Sequence, residues 1–406
     1  MRSIDLPAPS NEALAHSARL VAHIRVAIEQ SGGTIDFAQY MSLALYAPGL
    51  GYYSAGSRKL GAAGDFITAP ELTPLFGQTL AQFCQPLIAS GLGDILEVGA
   101  GSGALAASIL EELDRARQLP TSYQILELSA DLRERSRDTL ARRVPHLLER
   151  VQWLNRLPPH FSGTVIGNEV LDAMPTQLIR VRDHGPEQQG LEQRGVGWDD
   201  SLGQFQWRAH LLPSTGGLDE YPALQQLREA AAGIVAAHAL PPGYATEIGL
   251  EAQAFIRSIA AMLDQGAALF IDYGFPAREF FHAERSHGTL RCHYRHRAHD
   301  DPFLWPGLQD ITSHIDFSAI AAAGVASGLT LAGYTSQAAF LLDCGLTELL
   351  ARIPADDPAR YLPVSNAVQQ LVSPAEMGEL FKAIAFTRGA VAPLTGFRRG
   401  DRTAAL

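Results

Sequence analysis

Cysteine is scarce, and the three present, Cys84, Cys292 and Cys344, lie far apart and form no C-x-x-C pair. A disulfide framework is thereby excluded, and the pattern reads as reduced thiols in a cytoplasm-like compartment. An excess of basic residues is also absent: 32 Lys and Arg against 43 Asp and Glu leave a formal net charge of −11. Neutralising a nucleic-acid backbone needs the opposite balance, so no nucleic-acid partner is expected, whereas a cationic cofactor or substrate fits. No uncharged apolar run reaches the roughly 18 residues of a membrane span. The opening stretch MRSIDLPAPSNEA lacks an apolar signal core, and is too acidic and proline-rich for a transit peptide. Cytoplasmic residence is the expectation. Internal repeats and low-complexity tracts are missing too. What remains, 406 residues with 47% hydrophobic and 18% charged content, is an ordinary globular composition, long enough for one elaborated domain or two. Oligomeric state is left open.

The most informative stretch is Asp94–Gly103, DILEVGAGSG. Ile95, Leu96 and Val98 bracket Glu97, and glycines follow at 99, 101 and 103. An apolar run breaking into alternating glycines predicts a buried parallel strand and a tight turn. Leu105, Ile109, Leu110 and Leu113 then recur at helical spacing, so the turn opens a helix. Such a corner holds a nucleotide-like ligand against bare backbone. Gly99, Gly101 and Ala104 satisfy the dinucleotide pattern G-x-G-x-x-G/A, with a pyrophosphate at the helix N-terminus. Glu97, Gly99, Gly101 and Gly103 satisfy the E-x-G-x-G-x-G turn that binds S-adenosylmethionine (SAM), and a turn with no ligand is the third reading. Glu97 favours SAM, whose sulfonium and ammonium suit a nearby carboxylate better than a pyrophosphate would. Glu127 ends the next strand-like run and would bind ribose hydroxyls under either ligand reading.

From residue 94 strands and helices alternate: strand 94–98, helix 103–117, strand 123–128, helix 130–142, a short strand at 150–154, and strand 164–167. This is the rhythm of a doubly wound α/β sheet. After Pro175 it breaks; 177–212 read as a β meander and 222–239 as a helix. It resumes with helix 251–264 and strand 267–272, followed by helix 316–327 and strand-like runs at 329–341 and 381–388. The expected organisation is a helical N-terminal region (1–90), a cofactor-binding core (91–176), an insertion (177–247) and the rest of the core (248–406).

Strand 164–167 empties into Asn168-Glu169-Val170-Leu171-Asp172-Ala173-Met174-Pro175. Two carboxylates and an amide at a strand's carboxyl end stand where open α/β sheets keep their chemistry. Capping of a helix by Asn168, with acidic residues in its first turn, is the compatible structural alternative. Strand 267–272 ends in Asp272, and Glu247 follows the insertion. The stretch HGTLRCHYRHRAHDD (287–301) spaces His293, His296 and His299 by three, but no second cluster completes a zinc site, so no metal is expected. Arg291, Arg295 and Arg297 alternate and would share one face of a strand.

Taken together, LYAPGLGYYS (45–54), GDFITAPELTPLFGQ (64–78), LEVGAGSG (96–103), ILELSADLRERS (125–136), GNEVLDAMP (167–175), IDYG (271–274), GTLRCHYRH (288–296) and QDITSHIDF (309–317) resemble the MidA-like family. That family includes the mitochondrial complex I assembly-factor arginine methyltransferase and bacterial relatives. The resemblance implies a doubly wound, Rossmann-like class I SAM-dependent methyltransferase sheet with a helical N-terminal addition and an inserted meander and helix. It implies that Glu97, Gly99, Ala100, Gly101 and Gly103 line SAM, that Glu127 holds the ribose, and that Asp65, Phe66 and Thr68 close over the methionine end. The implied substrate is a protein arginine, on a respiratory complex I subunit. A guanidinium is cationic at any working pH, and carboxylates can orient it through paired hydrogen bonds. Glu169 is the expected clamp, beside Asn168, with Asp172 or Glu247 as the second carboxylate. Alternatives are an assembly chaperone that binds SAM without turnover, and a small-molecule methyltransferase. Val170-Leu171 stands where the family more often has aromatic residues, which alters the substrate mouth.

Overall fold

A computed structural model describes residues 6–55, 68–182, 190–212 and 222–406. Asp65 and Phe66 lie outside the described residues, as do parts of the meander region. The chain forms two units. One comprises Met1–Lys59, Asp172–Ala252 and Phe275–Asp316; the other comprises Leu60–Leu171, Gln253–Gly274 and Phe317–Leu406.

In the second unit, apolar runs become strands because both sheet faces are covered, so neither face selects polar residues. Its described strands are β1 (Asp94–Val98), β2 (Ser122–Leu126), β3 (Val151–Leu154), β4 (Phe161–Asn168), β5 (Leu263–Phe275), β6 (Thr330–Ser336) and β7 (Phe381–Arg388). They lie in the order β3-β2-β1-β4-β5-β7-β6. The pairs from β3 to β5 are parallel, with Leu96 opposite both Gln124 and Val165. β7 runs antiparallel between β5 and β6. The doubly wound α/β expectation holds. Strand order reverses between β1 and β4, and an open α/β sheet places its ligand crevice at such a switch, outside the strands' carboxyl ends. On one face, Phe76, Leu80 and Phe83 of helix Pro74–Ala89 and Leu105, Ile109 and Leu113 of helix Ala104–Arg115 pack in one core with Ile95, Tyr123, Ile125 and Ile166. The apolar run expected to continue as a strand to 341 stops at Ser336. Its hydroxyl accepts the Ala339 N–H at 3.3 Å and starts helix Gln337–Asp343.

The first unit contains the expected meander: Gly190–Asp199 pairs antiparallel with Gln177–Arg182 and Gln204–Leu211, and Gln177–Arg182 pairs with Ala245–Ile248. Leu227 and Ala231 of helix Pro222–His238 pack on Ile179 and Ile248. The N-terminal region is not purely helical, because Ile35–Asp36 pairs with Val196 and Gly195 of the meander. Contacts therefore group the N-terminal residues with the insertion and with 275–316. Arg291, Arg295 and Arg297 do not share a strand face. Arg295 and His296 turn a hairpin between strands Arg291–Tyr294 and Arg297–His299, both with positive φ. No described helix is long and apolar enough to cross a membrane.

Candidate functional site

The site is built on the glycine turn after β1. Gly99, Gly101 and Gly103 have φ of 69°, 54° and 80°, the left-handed region where a side chain is strained. The Gly99 N–H donates to the Leu126 carbonyl at 2.9 Å, drawing the turn against the end of β2. A Cβ on Gly99 would lie 2.5 Å from Val170 Cγ1, and one on Gly103 would lie 2.9 Å from Ser136 Cα. Gly99 and Gly103 are thus required by close approach as well as by backbone conformation. Gly103 precedes helix Ala104–Arg115, whose N-terminus opens from the turn.

Two carboxylates flank this turn in different ways. Glu97 is 1% exposed and shares the β1 face of Ile95, by the two-residue alternation of a strand. The Tyr123 hydroxyl donates to Glu97 Oε2 at 2.6 Å. Burial pushes the Glu97 carboxyl up to about 7, against the pull of the Tyr123 hydrogen bond and with a smaller push from the Glu127 charge. Glu127 stands at the end of β2, where its carboxylate accepts the Gly101 N–H at 3.2 Å and the Ser129 N–H at 2.9 Å. Burial raises its pKa, and those backbone donors and Arg133 oppose the rise. The Arg133 guanidinium donates to the Glu127 and Leu154 carbonyls at 2.8 and 3.0 Å, tying the ends of β2 and β3 together.

Thr68 precedes the short helix Ala69–Leu72 in extended conformation. Within that helix Glu71 Oε1 accepts the Ser102 hydroxyl of the glycine turn. The Ala69 N–H reaches Glu169 Oε1 at 3.4 Å, and Asn168 Nδ2 donates to the same oxygen at 3.2 Å. Thr68–Leu72, the glycine turn and Asn168-Glu169 thus converge at the carboxyl ends of β1 and β4. Glu169 holds φ at 53°, uncommon outside glycine and asparagine, with its N–H bonded to the Ile271 carbonyl of β5 at 2.9 Å. Asn168 Oδ1 is buried and has no hydrogen-bond partner. Buried Asp272 fixes the connection by accepting the Leu171 and Tyr273 N–H groups, each at 2.9 Å.

Asp172 and Glu247 belong to the other unit. Asp172 is buried, its carbonyl accepts the Ser313 N–H at 3.1 Å, and its charge contributes to raising the Tyr53 pKa. Glu247 is buried, and its carboxylate accepts the N–H groups of Thr289 and Leu290 at 2.9 and 3.0 Å and the Thr289 hydroxyl at 3.2 Å. It holds the GTLRC backbone. Sequence reasoning overlooked Tyr123, Glu71, Ser102 and Arg133. Each has a partner more than twenty residues away, and the spacing of the motifs carries no sign of it.

Comparison with known proteins gives this geometry a context. A family described as S-adenosyl-L-methionine-dependent methyltransferase matches residues 75–335. The Drosophila melanogaster protein named "Protein arginine methyltransferase NDUFAF7 homolog, mitochondrial" is 26% identical over 96% of this chain and 91% of its own length. The Mus musculus protein of that kind is 27% identical over 92% of this chain and 85% of its own. A crystal structure from Burkholderia thailandensis bound to S-adenosyl-homocysteine superposes with a TM-score of 0.91 at 49% identity, covering 99% of this chain and 100% of that one. The cytoplasmic expectation is overturned, since these curated relatives are named as mitochondrial proteins. Its grounds were separated cysteines and the composition of the first residues, and reduced thiols do not distinguish the cytoplasm from another reducing compartment.

Proposed function

We propose that the chain, which belongs to the S-adenosyl-L-methionine-dependent methyltransferase family, is a protein arginine N-methyltransferase whose substrate is a subunit of respiratory complex I. Membership settles the reaction class and the cofactor, SAM; the acceptor is the proposal. SAM supplies a methyl group on a sulfonium that can leave as neutral thioether. The residues present fit it. The turn Gly99, Ala100, Gly101 and Gly103 leaves the carboxyl end of β1, with its glycines in the left-handed region, and the Glu127 carboxylate, at the end of β2 and bonded to Gly101, suits the ribose hydroxyls. Thr68 enters the same corner just ahead of the helix that meets Ser102 and Glu169.

The observation that carries the acceptor proposal is the pair Asn168-Glu169. A half-buried carboxylate and a buried amide oxygen stand side by side at the carboxyl end of β4, beside the glycine turn. Both are acceptors, as a guanidinium requires, because its five N–H groups only donate. Hydrogen bonds from the guanidinium to Glu169 and Asn168 would orient one nitrogen toward the methyl and exclude rotation about the C–N bond. After transfer that nitrogen sheds a proton, and the Glu169 carboxylate is placed to accept it. The names of the relatives support an arginine acceptor.

The test is transfer of labelled methyl to isolated complex I subunits, with mass spectrometry of the modified side chain. Glu169→Gln should bind S-adenosyl-homocysteine as the wild type does and lose at least about a hundredfold in transfer rate, as for removal of a positioned acid–base group. A variant that binds normally and transfers at full rate refutes the role of Glu169. Labelling of a residue other than arginine refutes the acceptor.

A further inference from the structure

We infer that Glu71, steered by Ser102, is the carboxylate that binds the α-ammonium group of SAM's methionine end. The inference goes beyond the proposed acceptor and rests only on the family's cofactor. A ligand carrying an ammonium and a sulfonium is best met by a carboxylate, but the only side-chain oxygen within the turn Gly99–Gly103 is the Ser102 hydroxyl, and the Gly99, Gly101 and Gly103 N–H groups are already bonded to the Leu126 carbonyl, the Glu127 carboxylate and the Ala100 carbonyl. A carboxylate must come from a neighbouring segment. Glu97 precedes the turn in sequence, but it lies in the apolar layer with Oε2 taken by the Tyr123 hydroxyl, and burial holds its carboxyl near 7. At neutral pH it is therefore only about half ionised. Glu127 is committed to the other side, with one oxygen on Gly101 and the other on Ser129.

Glu71 has the opposite placement. It is half-buried on the Ala69–Leu72 helix, and its Oε1 accepts the hydroxyl proton of Ser102, the residue between Gly101 and Gly103. That hydroxyl is itself oriented, because its oxygen accepts the Ala104 N–H at 3.3 Å. The chain Ala104 N–H, Ser102 hydroxyl, Glu71 carboxylate holds an acceptor beside the turn before any ligand arrives, and a preset acceptor needs little reorganisation to bind. Ser102 acts here as a positioning residue; Glu71 touches the ligand.

Titration calorimetry with two ligands tests this. S-adenosyl-homocysteine carries the ammonium, and methylthioadenosine keeps the nucleoside and thioether without the amino-acid end. Glu71→Gln should weaken S-adenosyl-homocysteine about tenfold to hundredfold, the span for a hydrogen bond to a charged group, and leave methylthioadenosine within about twofold. Ser102→Ala should change the same ratio in the same direction by a smaller factor. Equal weakening of both ligands by Glu71→Gln would mean that the carboxylate only shapes the turn, and unchanged S-adenosyl-homocysteine binding would mean that it faces elsewhere; either overturns the inference. Methylthioadenosine binding also reports that the variant is folded. Failure of the wild type to bind either ligand would instead overturn the cofactor assignment.

Discussion

Replacing Glu97 by glutamine should make the ligand-free protein less sensitive to pH, in a direction opposite to most carboxylates. Burial raises the Glu97 carboxyl from an ordinary 4.5 to about 7 in the folded chain. The unfolded chain releases that proton near 4.5, while the folded chain keeps it until about 7. Between those values the folded state binds more protons, so stability falls as pH rises. The contribution of this residue is fully present below about 4.5 and is lost as pH climbs through 7. At roughly 1.4 kcal/mol per unit, the difference between the two ends of the window is about 3 kcal/mol. The side chain is 1% exposed, so solvent screening does not reduce this figure.

Glutamine keeps the shape and still offers an oxygen to the Tyr123 hydroxyl, but it does not titrate. Denaturant unfolding of wild type and Glu97→Gln at half-unit steps from pH 4.5 to 8 gives two stability curves. Their difference isolates Glu97, because every other titratable group is common to both proteins. The variant should gain about 3 kcal/mol relative to the wild type across the window, with most of the change between pH 5 and 7.5. Parallel curves would show that Glu97 is ionised in the folded protein. Glu97 would then be a charged carboxylate in the folded chain and a candidate for the cationic end of the ligand.

Gly103→Ala should destabilise the protein by about 3 kcal/mol, combining a left-handed side-chain penalty with overpacking against Ser136, whose Cα would lie 2.9 Å from the new Cβ; an unchanged unfolding midpoint would refute the close-packing argument. Glu127→Ala should weaken S-adenosyl-homocysteine at least about tenfold, since it removes the proposed ribose acceptor and frees the Gly101 and Ser129 N–H groups, and an unchanged calorimetric Kd would refute its placement.

Local patterns were legible where a single segment contains its own cause. The run Ile95–Val98 followed by three glycines specifies a strand, a turn and a helix without outside help, and the structure shows all three. The final strand Phe381–Arg388 was likewise readable, because its apolar run is long enough to be buried on both faces. The strand expected to run through 341 failed at Ser336, where apolarity alone does not distinguish a buried strand from a buried helix.

The sequence by itself determined the sheet class, the strand–turn–helix corner after Val98 and the family, because each follows from periodicity or from motifs read in order. Only the tertiary structure decided which carboxylates meet that corner. Glu97 was the nearest acidic residue along the chain, yet strand alternation turns it toward Tyr123, while Glu71, thirty-one residues from Ser102, arrives at the turn. The pairing of Ile35–Asp36 with the meander, some 160 residues on, is of the same kind. Such contacts depend on how separate elements pack, and no local spacing of residue types encodes the partner of a side chain that distant.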